Sequence, residues 1–262
     1  MLLDEPYRFA EAIANRRDYI EDQLRDGSPV VGVAFADGLL MVTLKGGSQK
    51  LFEAYDRIGL GSVGHPTDIE KLRQSAVDLA HVIGFNYSDA DVTLQQIVHF
   101  GLGPAVKSAF DDVIRSPYIA RVLLAELGQD DGGSSFFTVD YDGTFHRYES
   151  AAAIGGVAEA DGLMREHILA ADPSSHALSD ALSVALDAWG LGRWAGEQDS
   201  LPPDEEELKA AASEADASAV VREALRTLEV EAVVLDPAGS GKTKFRHVEP
   251  EEIESIVSSI RE

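Results

Sequence analysis

Ser28-Pro29-Val30-Val31-Gly32-Val33-Ala34-Phe35-Ala36-Asp37-Gly38-Leu39-Leu40-Met41-Val42 sets two apolar runs on either side of an Asp-Gly dipeptide. Asp-Gly suits the tight turn that joins two antiparallel strands. The spacing predicts strands over Val30–Phe35 and Leu39–Leu44, followed by a loop over Lys45–Gln49. Beyond the loop, Lys50-Leu51-Phe52 puts a lone lysine ahead of an apolar pair. Tyr55-Asp56-Arg57-Ile58-Gly59-Leu60-Gly61-Ser62-Val63-Gly64 then reads as a third strand, Arg57–Val63, that ends in glycine.

Working outward, the segment before this block reads as an amphipathic helix. Asp4 and Glu5 place negative charge at its start, and Pro6 suits a first helical turn. Phe9, Ile13, Ile20 and Leu24 fall near one face, and Gly27 ends the helix. So polar a helix must dock on its own sheet or on a neighbouring copy. After the third strand, Thr67-Asp68-Ile69-Glu70 has the form of a capping box. The helix it opens carries Ile69, Leu72, Ala76, Leu79, Ala80 and Ile83, with Gly84 as its stop. A second helix starts near Asp91 and Thr93 with Leu94, Ile97, Val98 and Leu102, and Pro104 should kink or restart it.

Strands return at Ile119–Leu127, Ser135–Asp140 and Thr144–Tyr148, the last two joined at Asp142-Gly143. Gly155-Gly156 precedes a helix over Ala160–Leu169, and Ala177–Gly190 forms another. Pro202-Pro203 opens an acidic excursion, helical over Glu205–Ala212. Glu229–Leu235 and Lys244–Val248 form a closing hairpin before a terminal helix over Glu249–Ser259. The order suggests two antiparallel sheets packed face to face with helices on both outer faces.

Composition bounds the function. The chain has 262 residues, enough for one large domain or two small ones, and no cysteine, so disulfides and thiolate metal sites are excluded. Its 22 basic residues against 46 acidic ones give a net charge of −24, which argues against nucleic acid as a partner. No apolar run reaches the ~20 residues of a membrane span, and no signal segment opens the chain. A soluble cytoplasmic protein without a membrane partner is the expectation. Residues 196–216 hold eight acids against Lys209 alone. A solvated linker accounts for them, and an acidic rim for a basic partner is the alternative.

The leading helix, the Asp37-Gly38 turn, Lys50-Leu51-Phe52, Tyr55–Gly64, the paired helices, Tyr141-Asp142-Gly143, Gly155-Gly156 and the strand at Leu228–Leu235 occur in an order that resembles proteasome subunits. The match is closest to the α-type subunits of bacterial proteasomes. The resemblance implies an α+β fold: the four-layer αββα sandwich of N-terminal-nucleophile hydrolases. Residues 1–27 would be a gate segment and helix, and 28–262 the sandwich domain with its excursion at 196–216. It also implies a silent subunit, with no cofactor, in a homo-heptameric outer ring. Such a ring templates proteasome β subunits, restricts entry and docks a ring-shaped AAA ATPase or other activator. Pro104 and the length of the acidic tract depart from the family pattern.

An active subunit of this family uses the first residue of its mature chain as nucleophile, with its own α-amino group as base. Counted from Asp37-Gly38, that position falls on Ser28, preceded by Gly27, and Lys50 would be the supporting cation. A self-processing serine hydrolase is therefore the enzyme alternative. Pro29 stiffens the chain beside the bond to be cut, and Leu44 stands where the lysine's orienting aspartate belongs. Residues 1–27 read as a folded helix, not a disposable leader. A scaffold ring without β partners is a third reading.

Taken by itself Lys50 reads as a solvated charge; in α-type subunits, however, the lysine at this position lines a pocket between neighbours that receives an activator's C-terminal carboxylate. The adjacent strand turn corresponds to Gly64 and His65, although His65 reads equally as a plain loop residue. The residues ahead of the helix, Met1 to about Tyr7, would form the gate, with Leu2, Leu3, Asp4 and Tyr7 able to close a pore; simple terminal disorder is the alternative. Tyr55-Asp56-Arg57 repeats the letters of a gating triplet but lies in the core. Gly239-Ser240-Gly241-Lys242-Thr243 mimics a phosphate loop, yet Asp236 stands where its first glycine is required, so a charged hairpin tip is expected.

Overall fold

The computed structural model describes residues 6–112, 114–129 and 133–261. Among them ten strands, numbered in chain order, form two antiparallel sheets. The first holds β1 (Val30–Phe35), β2 (Gly38–Lys45), β8 (Ala151–Ile154), β9 (Glu229–Leu235) and β10 (Phe245–His247), in the order β10-β9-β2-β1-β8. The second holds β3 (Leu51–Tyr55), β4 (Ile58–Gly64), β5 (Ala120–Glu126), β6 (Ser135–Val139) and β7 (Phe145–Tyr148), ordered as numbered.

Side chains alternate across each strand, so the apolar runs feed two cores at once. Val30, Leu39, Met41 and Val233 of the first sheet meet Leu51, Val63, Leu123 and Phe136 of the second. The opposite faces of the same strands, with Val31, Val33, Leu40 and Val42, pack on α5 (Ala158–Ala171) and α6 (Leu178–Glu197). Leu60, Val122 and Leu124 turn outward to α2 (Pro66–Asn86), α3 (Leu94–Ile97) and α4 (Gly103–Asp111). This is the αββα sandwich. The sheets approach closely at Gly32, where a Cβ would lie 2.7 Å from the Phe136 ring.

Residues ahead of β1 belong to the same body. Helix α1 (Pro6–Leu24) inserts Ile20 and Leu24 into the inter-sheet core, both essentially fully buried. The turn at Tyr141-Asp142-Gly143 holds it: Asp142 pairs with Arg17 at 3.1 Å, and the Tyr141 hydroxyl donates to Glu21. At the other side, Arg16 donates to the carbonyls of Phe110 and Asp112 at 3.2 and 2.8 Å. The chain leaves α1 across Gly156, where a Cβ would lie 2.1 Å from the Arg25 carbonyl oxygen.

Several expectations are corrected. Lys50-Leu51-Phe52 leads into β3, a strand the periodicity concealed because it is short and only partly covered. The capping box at Thr67 is not used; His65 caps α2 through Nδ1, which accepts from the Thr67 amide at 3.3 Å, and Pro66 starts the helix. Glu70 pairs with Arg73 instead, and the helix passes Gly84 to end at Asn86. Pro104 behaves as expected: a π turn over Val98–Leu102 interrupts the regular helix, and α4 restarts at Gly103 with the proline in its first turn. Ala151–Ile154 forms β8 although alanine rarely marks a strand.

The acidic excursion is docked. Asp204 caps α7 (Glu205–Glu214), whose Leu208 and Ala212 are buried against Leu163 and Leu191. A further helix, α8 (Ala217–Ala224), returns the chain toward β9, and α9 (Pro250–Arg261) closes the outer layer on the first sheet. The 239–243 stretch is a tip of the β9–β10 hairpin, as expected, tied by Lys242 to Asp89 at 2.6 Å. Among the described residues no helix is long and apolar enough to cross a membrane, and no group of His, Asp or Glu could hold a metal ion.

Candidate functional site around Lys50

The site lies where the α1–β1 connection crosses the ends of β2, β3 and β9. Gly27 donates its amide to the Leu24 carbonyl at 2.7 Å and presses on Val63, so close that a Cβ would lie 2.2 Å from Val63 Cγ1. That contact fixes Ser28 at the mouth of β1. The Ser28 hydroxyl donates to the Leu44 carbonyl at 2.6 Å and accepts from the indole Nε1 of buried Trp189 at 3.2 Å. Thr43 donates to the Pro29 carbonyl at 2.6 Å, which ties the connection to β2.

Lys50 meets Ser28 through the main chain. Its Nζ donates to the Ser28 carbonyl oxygen at 2.7 Å. The missing carboxylate partner is supplied from an unexpected strand: Glu231 of β9, 4% exposed, accepts from the Lys50 amide at 2.9 Å and the Leu51 amide at 3.3 Å. Register explains its arrival, since Glu231 pairs with Thr43 across β2–β9. Burial pushes the Lys50 ammonium down to about 8, and the Glu231 charge opposes that shift. Burial wins because removing an ammonium from water costs more than one carboxylate held by backbone donors returns.

The arrangement is a poor nucleophile centre. The Ser28 nitrogen lies in the chain, its hydroxyl proton is committed to Leu44, and its carbonyl is held by Lys50. What the site offers is a desolvated cation at a chain crossing. An ammonium has three protons, and Ser28 takes one of them.

The turn residues sit one strand away. Gly64 has φ +135°, and a Cβ there would lie 2.1 Å from the Ile119 carbonyl, so the position demands glycine. His65 is exposed, donates its amide to that same carbonyl at 2.7 Å and spends its ring on the α2 cap. Among the described residues no hydrogen bond links Lys50 to Gly64 or His65; the pairing of Leu51 with Gly61 across β3–β4 and the contact between Gly27 and Val63 bring the two parts together. Of the gate residues, Leu2, Leu3 and Asp4 lie outside the described residues. Tyr7 falls inside α1, so the segment ahead of the helix is shorter than expected.

Three residues that build or support this site escaped the sequence reading. Glu231 had a signal, an acid inside the apolar run Val230–Leu235. Trp189 had none beyond its place in an apolar helix. Arg121 of β5, 5% exposed, is the third: it reaches Asp161 at 2.5 Å, Asp140 at 3.1 Å and the Gly155 carbonyl at 3.0 Å. Asp161 also accepts from the Gly155 amide at 2.8 Å, and burial lifts its carboxyl to about 6 against the pull of Arg121. This cluster holds the Gly155-Gly156 step on which the end of α1 rests.

Comparison with known proteins agrees with this architecture. The chain is 28% identical over 203 residues to the proteasome subunit alpha of Acidothermus cellulolyticus, covering 76% of this chain and 85% of that one. It is 29% identical over 199 residues to the proteasome subunit alpha of Parafrankia sp., covering 74% and 80%. It is 26% identical over 250 residues to that of Nocardioides sp., covering 94% and 86%. The family model described as "Proteasome subunit" matches residues 24–189, a span that runs from the end of α1 to Trp189. The chain therefore belongs to the proteasome subunit family, and the relatives it resembles are alpha subunits.

Proposed function

We propose that this chain is a non-catalytic α-type subunit that forms the seven-membered outer ring of a proteasome-like particle in the cytoplasm. The ring templates a β ring, restricts entry through the segment with Leu2, Leu3 and Asp4 ahead of α1, and docks an ATPase through Lys50, Gly64 and His65. One observation carries the reading: the segment before Ser28 is part of the folded body. Ile20 and Leu24 are buried between the sheets, and the Arg25 carbonyl rests on Gly156. Releasing a free amine at Ser28 would require cutting a chain seated on both sides. The names of the relatives support the same assignment. Lys50 supports the docking role as an ammonium with one proton on the Ser28 carbonyl and further donors to offer, the cation a C-terminal carboxylate requires.

The test of docking is Lys50→Ala in the assembled α–β particle. The ring should still form, and stimulation of peptide hydrolysis by the activator should be lost. Unchanged stimulation removes Lys50 from the pocket. Deleting residues 1–7 should raise peptide entry, and no rise refutes the gate.

A further inference from the structure

We infer that Glu231 is a built-in counter-charge that restrains carboxylate docking at Lys50, so that its neutral amide would make the site bind a C-terminal carboxylate more tightly. The inference rests on the docking reading above. It stands on geometry. Glu231 reaches the cation's neighbourhood from β9 and is nearly inaccessible to solvent. Both its oxygens are fixed by main-chain donors, Lys50 N and Leu51 N, so it can neither rotate away nor follow the ammonium. The ammonium itself is turned to the Ser28 carbonyl rather than to a salt bridge with Glu231. A carboxylate arriving at Nζ thus meets a cation whose field is already partly cancelled by an immobile anion.

Two jobs are combined in one side chain. Glu231 places the Lys50 backbone through its two hydrogen bonds, and it lowers the affinity of each single docking event. A ring of such sites then favours an activator that offers several carboxylate tails at once, because weak sites summed by tethering bind only multivalent partners strongly.

The experiment uses the assembled ring and the tripeptide acetyl-leucyl-leucyl-alanine, prepared as free acid and as C-terminal amide. Binding is measured by surface plasmon resonance at pH 6, where Lys50 is charged, and the readout is the acid-to-amide affinity ratio. Glu231→Gln should raise that ratio by about tenfold, the scale of a like-charge repulsion across a partly buried site. The ratio cancels any general loosening of the pocket, so an unchanged or smaller ratio overturns the inference even if absolute affinity falls. Lys50→Met separates the two claims. With the cation gone and the Glu231 charge still in place, the ratio should fall below one, the amide binding better than the acid; if the substitution leaves the wild-type ratio intact, the docking reading fails and the Glu231 inference falls with it.

Discussion

At the scale of single residues, two buried charges carry the clearest energetic consequences. Arg121→Met strips the cation from Asp161 and Asp140 and should cost ~3 kcal/mol in urea denaturation, the order seen when one partner of a buried pair is removed. Lys50 has the opposite character. Its pKa falls from 10.5 to about 8 on folding, so between those values the unfolded chain binds more protons than the folded one. The penalty of the buried ammonium is therefore full below pH ~8 and gone above pH ~10.5, with an upper bound of ~3–4 kcal/mol from the size of the shift. Wild type should gain stability relative to Lys50→Met as the pH rises through that window; parallel curves for the two proteins would contradict the burial of Nζ. Lys50 was singled out in the sequence by the resemblance to α-type subunits, since a lone lysine by itself reads as a solvated charge. Glu231 and Arg121 were not, because which strand neighbours which decides whether an isolated charge finds a partner, and that is a long-range fact.

At the scale of elements, the seat of α1 decides how the chain is read. Gly156→Ala would drive a Cβ against the Arg25 carbonyl, a main-chain group that cannot swing aside. The expected result is ~1–3 kcal/mol of destabilisation, with faster hydrogen exchange at the amides of Arg25 and Gly27 while β1 and β2 stay protected. Equal protection in the variant would show that α1 is held without this contact. The hairpin of β1 and β2 and the existence of α1, α2 and α6 could be read from periodicity and the Asp37-Gly38 turn. The elements that could not be read are those whose local signal competes with something else. β8 is nearly all alanine, β3 is five residues with an exposed glutamate in its middle, and the cap of α2 passed from Thr67 to His65 because Pro66 fixes where the helix can start.

At the scale of the whole molecule, the αββα layering explains how one chain can share the frame of a hydrolase and yet arrange the charges beside Ser28 differently. The sandwich places Ser28, Lys50 and a carboxylate at one end of the sheets, but the carboxylate comes from β9 and accepts from the Lys50 and Leu51 amides, while Lys50 Nζ donates to the Ser28 carbonyl. Charge matters here too: copies each carrying −24 repel one another, so ring assembly should strengthen as salt rises from 0.05 to 0.3 M by a rough Debye argument, as read by sedimentation velocity. Weaker assembly with added salt would point to ion pairs across the subunit contacts instead. Order of elements made the fold visible in the sequence, whereas ring, gate and docking are properties of an assembly and leave only indirect marks in one chain. The most direct measurement is the intact mass of this subunit taken from the assembled particle, co-expressed with a β partner so that any processing can occur. A full-length chain, with Gly27 still joined to Ser28, is the result expected of a silent α-type subunit; a chain that begins at Ser28 would contradict that account and make it a self-processed hydrolase.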